Sequence, residues 1–244
     1  MGGAASLPKN AVLGGISVFY YDWTMILIIP GLLLGLWAQM SVKNAFAKYS
    51  KVAIRRGVTA DQVARSLLDQ SGNDTVRISR VDGSLTDHYD PRSNTLRLSA
   101  DVYGSQSVAA AGVAAHECGH AMQQHDGYAP LKLRTAIVPV VNIGSNLYFP
   151  IFLAGMIFSW DPLVYIGIAC FALTLLFSLV TLPVELNASK RALAMLETDG
   201  IMEGDELTGV KKVLNAAAMT YVAAVVSSLL QLLRLILISR NRRD

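Results

Sequence analysis

The chain has 244 residues, 52% of them hydrophobic and 16% charged, with a mean hydropathy of +0.40. It is too apolar for an ordinary soluble domain, whose charged share is about 25%, and it is too short for two large soluble domains beside helices that each use about 20 apolar residues to cross a bilayer. The net charge of +3 comes from Lys and Arg that flank apolar runs, a topology signal that argues against a nucleic-acid partner, and the two cysteines exclude a disulfide framework.

Residues 1–22 form a nearly uncharged amino-terminal segment, and Met1-Gly2-Gly3-Ala4-Ala5-Ser6 matches a myristoylation pattern by letter only. Residues 23–42 contain no charge and are rich in Leu and Ile. Leu36-Trp37-Ala38 is a poor match to a small-x-small cleavage site, so this run reads as a retained transmembrane anchor and not as a signal peptide. Lys43, Lys48, Lys51, Arg55 and Arg56 follow it, which predicts a cytoplasmic location for residues 43–134 and an outward-facing amino terminus.

Within that part, Thr59 and Gln62 have the spacing of a capping box and open a helix over 60–70, with Val63, Ala64, Leu67 and Leu68 on one face. Residues 75–99 alternate around Asp82-Gly83 and Asp90-Pro91 and predict a small antiparallel sheet. A helix over 105–124 follows, favoured by Ala109, Ala110, Ala111, Ala114 and Ala115 and ended by Gly127 and Pro130. Residues 135–184 hold two uncharged stretches of spanning length around Asp161-Pro162, a transmembrane hairpin whose tip carries no Lys or Arg. A further cytoplasmic helix lies in 185–215. Residues 216–244 form an apolar helix and basic tail; if this helix crossed, Arg240, Arg242 and Arg243 would stand outside, so its topology stays open. The fold class is therefore mainly α, with multi-pass membrane helices and a small cytoplasmic α+β part.

The chemistry centres on His116-Glu117-Cys118-Gly119-His120. Residues four apart on a helix share a face, so both imidazoles reach one Zn²⁺ while Glu117 serves as the general base for a zinc-bound water. A catalytic zinc takes a third protein ligand. His125 is rotated away from His120 by the helical period, and Asp126 stands where a longer three-histidine motif needs its last His. Glu185, the first ionisable residue after the apolar hairpin, is either that ligand or a solvated carboxylate at a helix start.

Four segments in combination resemble the YugP-type neutral zinc metallopeptidases of bacterial membranes. They are Thr86-Asp87-His88-Tyr89-Asp90-Pro91, Leu96-Arg97-Leu98-Ser99, the stretch from Ala114 to Gln123 around the histidine pair, and Leu182-Pro183-Val184-Glu185-Leu186-Asn187-Ala188-Ser189. The likeness covers roughly residues 23–238 and is more distant to HtpX-like membrane proteases. It implies a zincin-like gluzincin site in which His116, His120 and Glu185 hold Zn²⁺ and Glu117 is catalytic, with peptides or membrane proteins as substrates at the cytoplasmic face of the cell membrane. An Asp is expected where this chain has Asn187, which can still accept one hydrogen bond from the supporting shell but brings no charge. The resemblance also implies that a strand over 95–99 pairs with the substrate backbone. Arg191, His88 and Tyr89 are candidates to stabilise an oxyanion; Asp87 and Asp90 read as turn residues. The rivals are a non-catalytic zinc-binding membrane scaffold or chaperone, and a transporter using Asn142, Ser145 and Asn146, three polar residues on one span.

Overall fold

A computed structural model describes residues 23–241; the amino-terminal segment with its myristoylation-like pattern, and Arg242 and Arg243, lie outside the described residues. After a 3-10 turn at Trp23–Leu27 come α1 (Ile28–Tyr49), α2 (Ala60–Gln70), β1 (Arg77–Val81), β2 (His88–Asp90), β3 (Thr95–Ser99), α3 (Val108–His125), α4 (Ala129–Ile157), α5 (Asp161–Thr198) and α6 (Asp205–Asn241). The protein is thus mainly helical with one small sheet. Four segments are long and apolar enough to cross a membrane: Trp23–Tyr49, Ala129–Ile157, Asp161–Thr198 and Asp205–Asn241. Through the neighbour pairs α4–α5, α5–α6 and α6–α1 these helices form a row, with α4 and α1 at its two ends.

Glycines set the spacing within this row. A Cβ at Gly155 would stand 2.6 Å from Val164 N, and one at Gly167 would meet Phe152 at 2.7 Å, so α4 and α5 lie backbone to backbone near their shared turn. Such close approach replaces the hydrophobic drive that helices lack inside lipid. Ser159, at φ 53°, makes the turn in a left-handed conformation, and Pro162 starts α5 where a missing N–H costs nothing.

The compact part is built around α3. Ser107 caps it, its hydroxyl accepting from Ala110 N at 3.2 Å. Its alanines are fully buried against Val63, Leu67 and Leu68 of α2, Leu96 and Leu98 of β3, and Ala192 and Leu196 of α5. The predicted capping box at Thr59 and Gln62 is present, and Thr59 N donates to Gln62 Oε1 at 3.0 Å.

Three expectations need correction. The sheet is mixed: its order is β1-β3-β2, with β1 parallel and β2 antiparallel to β3. A crossover through β2 places β3 in the centre, so residues 95–99 have no free edge and β2 takes the position beside α3. The helix bearing Glu185 is no separate element beginning at 185, because α5 continues unbroken from the apolar hairpin through Glu185 to Thr198. Similarly, the helix expected from 216 already starts at Asp205. Pro183 does not end α5; it removes one helical N–H and the remaining turns continue.

Candidate metal centre

Gly119 explains how a motif helix and a distant carboxylate meet. A Cβ there would stand 2.5 Å from the Ala188 carbonyl oxygen, so α3 and α5 cross with their backbones in contact. On α5, Val184, Ala188, Ala192 and Leu196 form the fully buried stripe at four-residue spacing, and Glu185 is next to it, one turn before Ser189. The crossing therefore delivers Glu185 to the face of α3 that carries His116 and His120. Two of the three residues between the histidines, Cys118 and Gly119, fill the contacts on either side. Cys118 is fully buried and lies 3.6 Å from Ala64 O on α2, while Gly119 admits α5. Burial, reinforced by the charge of Glu117, pushes the Cys118 thiol well above its ordinary pKa, which keeps it protonated and unsuited to metal ligation.

Replacing Gly119 with Val has a calculable consequence. The crossing cannot absorb a clash with backbone, so α3 and α5 separate and Glu185 leaves the histidines. The expected result is a folding stability lower by about 1–3 kcal/mol through overpacking, read as a lower midpoint of thermal unfolding, together with loss of zinc on elemental analysis. Unchanged zinc content in a folded Gly119→Val protein would contradict this account of the crossing.

His116 Nε2 lies 3.3 Å and His120 Nε2 3.5 Å from Glu185 Oε2. Among the described residues, these three side chains each offer a ligand atom, all within 4.8 Å of one another. Zinc bonds of about 2.0–2.2 Å at tetrahedral angles require donors about 3.4 Å apart, so the cluster fits the ion with little movement. The other ring nitrogens are held: Ser189 Oγ is 3.1 Å from His116 Nδ1, and Gln123 Oε1 is 3.0 Å from His120 Nδ1. With Gln123 as acceptor, the His120 proton sits on Nδ1 and Nε2 keeps its lone pair for the metal. Gln123 is itself fixed, donating from Nε2 to Val184 O at 2.8 Å and to Asn187 Oδ1 at 3.0 Å. Asn187 thus stands two steps from the candidate metal centre, as an acceptor for Gln123 and for Arg191 Nε.

The site also favours a cation electrostatically. Burial works against charge on His120, but its hydrogen bond to Glu185 and the charges of Glu117 and Glu185 outweigh that and hold its pKa above the free imidazole value. Glu117 is 8% exposed, and its Oε2 accepts from Tyr89 N at 3.0 Å, which ties β2 to α3. Asp87 is anchored by Ser99, whose N and Oγ donate to it at 2.7 and 2.9 Å. Burial nevertheless raises its pKa. The turn reading of Asp90 agrees with its bonds to Arg92 N and Ser93 Oγ.

A cavity of about 470 Å³ opens over the cluster, lined by His88, Tyr89, Arg134 and Tyr221 among others. A second, of about 320 Å³, adjoins it on the far side of His116, Glu117 and Glu185 and is mostly apolar, with Phe46, Leu85, Val113 and Val213. Of the oxyanion candidates, His88 and Tyr89 face the first cavity. Arg191 does not line it; its guanidinium pairs with Asp126 and Asn187 and sits over the Tyr128 ring. Arg134 and Tyr221 were not foreseen. Arg134 Nη1 donates to Glu185 Oε1 at 3.1 Å, and Tyr221 of α6 lines both cavities. A charged residue at the very start of an apolar run was the available signal for Arg134; Tyr221 stands in a run of small apolar residues with nothing to mark it.

A family model described as "Putative neutral zinc metallopeptidase" matches residues 24–240. The chain is also 46% identical over 220 residues to "Putative membrane protease YugP" of Bacillus subtilis (strain 168), covering 90% of this chain and 98% of that protein. No solved structure matches. The donor set and the family agree on Zn²⁺ as the cofactor, and the four apolar helices agree with a membrane protein. On the match along nearly its whole length, this chain belongs to the neutral zinc metallopeptidase family.

Proposed function

We propose that the protein is a membrane-embedded zinc endopeptidase of the gluzincin type, in which His116, His120 and Glu185 hold the ion and Glu117 moves the proton. The observation that carries this reading is the convergence of two Nε2 atoms on one carboxylate oxygen, at 3.3 and 3.5 Å, with all three ligand atoms within 4.8 Å of one another and no fourth side chain completing the set among the described residues. That vacancy in the donor set favours catalysis over a structural scaffold or chaperone, whose zinc takes four protein ligands.

Bound there, zinc polarises a carbonyl and lowers the pKa of water toward about 7. Glu117, in the same cavity, takes the proton of the attacking water and returns it to the leaving amine. Arg134 holds Glu185 from the side away from the histidines, and with Tyr221 it presents donors to the carbonyl oxygen as charge develops. The outer edge of β2 replaces β3 as the strand that aligns a substrate backbone along the cavity, with the Tyr89 N–H already taken by Glu117.

Lys43 and Lys48 lie in the closing turns of α1 and Lys51, Arg55 and Arg56 follow it, Lys132 and Arg134 open α4, and Lys190 and Arg191 lie near the end of α5. All stand at the catalytic end of the helix row, whereas the turn between α4 and α5 has none. This bias supports a cytoplasmic site. Arg234 and Arg240, toward the far end of α6, run against it.

The test is purification in detergent, zinc measurement and incubation with an unfolded protein such as reduced casein. One zinc per chain, cleavage that stops on chelation, and recovery on adding Zn²⁺ are expected. A zinc-loaded protein that cleaves nothing would return the scaffold reading.

A further inference from the structure

One face of α4 has no role in the site so far described. Leu131, Thr135, Val138 and Pro139 line the larger cavity. Asn142, Ser145 and Asn146 follow at three- and four-residue spacing on the same face. The face that packs on α5 is a different one, marked by the buried Val141, Gly144, Phe152 and Gly155. Asn142 and Asn146 are exposed.

At about 1.5 Å per residue, Asn142 stands about 12 Å and Asn146 about 18 Å along the axis from Arg134. With Arg134 at the membrane surface, these side chains reach about the middle of a hydrocarbon layer about 30 Å thick. Ser145 Oγ and Asn146 Nδ2 turn back onto Asn142 O, at 3.2 and 2.8 Å. The Asn142 carboxamide and Asn146 Oδ1 have no hydrogen-bond partner among the described residues. Polar groups presented to lipid without a partner are costly and mark an interaction or a path.

The geometry points to α4 as the track along which the membrane-spanning segment of a substrate reaches the metal centre, and we propose that Asn142 and Asn146 hydrogen-bond a polar residue within that segment. This rests on the peptidase reading of the site. Two observations favour a substrate over a second copy of the chain: the face that carries Asn142 and Asn146 continues directly into the cavity-lining Val138 and Pro139, and α4 is an end of the helix row, open on the side away from α5. Docking there places the cytoplasmic end of a bound segment beside Arg134 and Glu185, where a stretch of chain leaving the membrane enters the cavity.

The experiment uses the full chain carrying Glu117→Gln, reconstituted in phosphatidylcholine vesicles. The probe is a fluorescent 20-residue Leu-Ala spanning peptide with one central Asn, compared with the same peptide carrying Leu. Binding is read by energy transfer to a label on the protein. The Asn peptide should bind about three- to thirtyfold more tightly, the range for polar contacts between helices in lipid. The double change Asn142→Leu and Asn146→Leu should remove that difference while zinc content and helical circular dichroism stay as before. Equal binding of the two peptides overturns the proposal. So does loss of self-association, in place of peptide binding, in the double variant, since the face would then join two copies. Because binding is read without cleavage, a failure of the peptidase reading shows itself separately, as wild-type protein that leaves casein intact.

Discussion

Glu117→Gln is expected to lower peptide hydrolysis by about 10²- to 10⁴-fold, the range for a lost general base, with zinc content and unfolding temperature close to wild type. Glutamine has the volume of glutamate and keeps an oxygen for the Tyr89 N–H, so the bond between α3 and β2 survives. It does not take a proton at neutral pH. The substitution therefore separates moving the proton from holding the structure. It also separates the peptidase from its rivals, because a scaffold or chaperone loses nothing when this carboxylate becomes an amide. Casein cleavage and elemental analysis on the same preparation decide the matter. Cleavage at the wild-type rate would remove Glu117 from the reaction.

The local features of the site were legible in the sequence, and the global ones were legible only in part. A histidine pair at i and i+4 in an Ala-rich helix has a fixed geometry whatever surrounds it, and a capping box is a bond between neighbours. Both appear in the structure as the spacing predicted. Glu185 is 65 residues beyond His120 in the numbering, and its position depends on the crossing of α3 and α5. The deciding residue for that crossing is Gly119, a poor helix former by type, and only the Ala188 backbone against it accounts for its place in the helix. The mixed pairing of the sheet departs from the antiparallel expectation for a related reason. The alternation at 95–99 indicates a strand but not whether one or two neighbours flank it, and the parallel pairing of β1 with β3 needs the intervening β2 to lie outside. The break expected at 185 followed from the change to charged residues after Pro183, yet hydropathy marks where a helix leaves lipid and not where it ends. Tyr221 comes from a third helix whose approach no local pattern encodes.

Glu185→Ala should have the largest effect on the metal. The Glu185 side chain is 4% exposed and one of its oxygens faces both histidine Nε2 atoms, so its loss leaves two neutral donors and a space that water fills. Partners one step further out, such as Gln123 on His120, are worth about 10- to 100-fold in metal affinity or activity; loss of a direct anionic ligand should exceed that. Glu185→Gln serves as the companion. It keeps the side-chain volume and an acceptor for Arg134 but brings no charge to the ion, and should retain zinc better than Ala while remaining well below wild type. Titration with a zinc-competing chelator orders the three proteins. Wild-type affinity in the folded Glu185→Ala protein would show that the ion is held without α5. The crossing at Gly119 would then be a packing contact only, with the third ligand supplied from elsewhere.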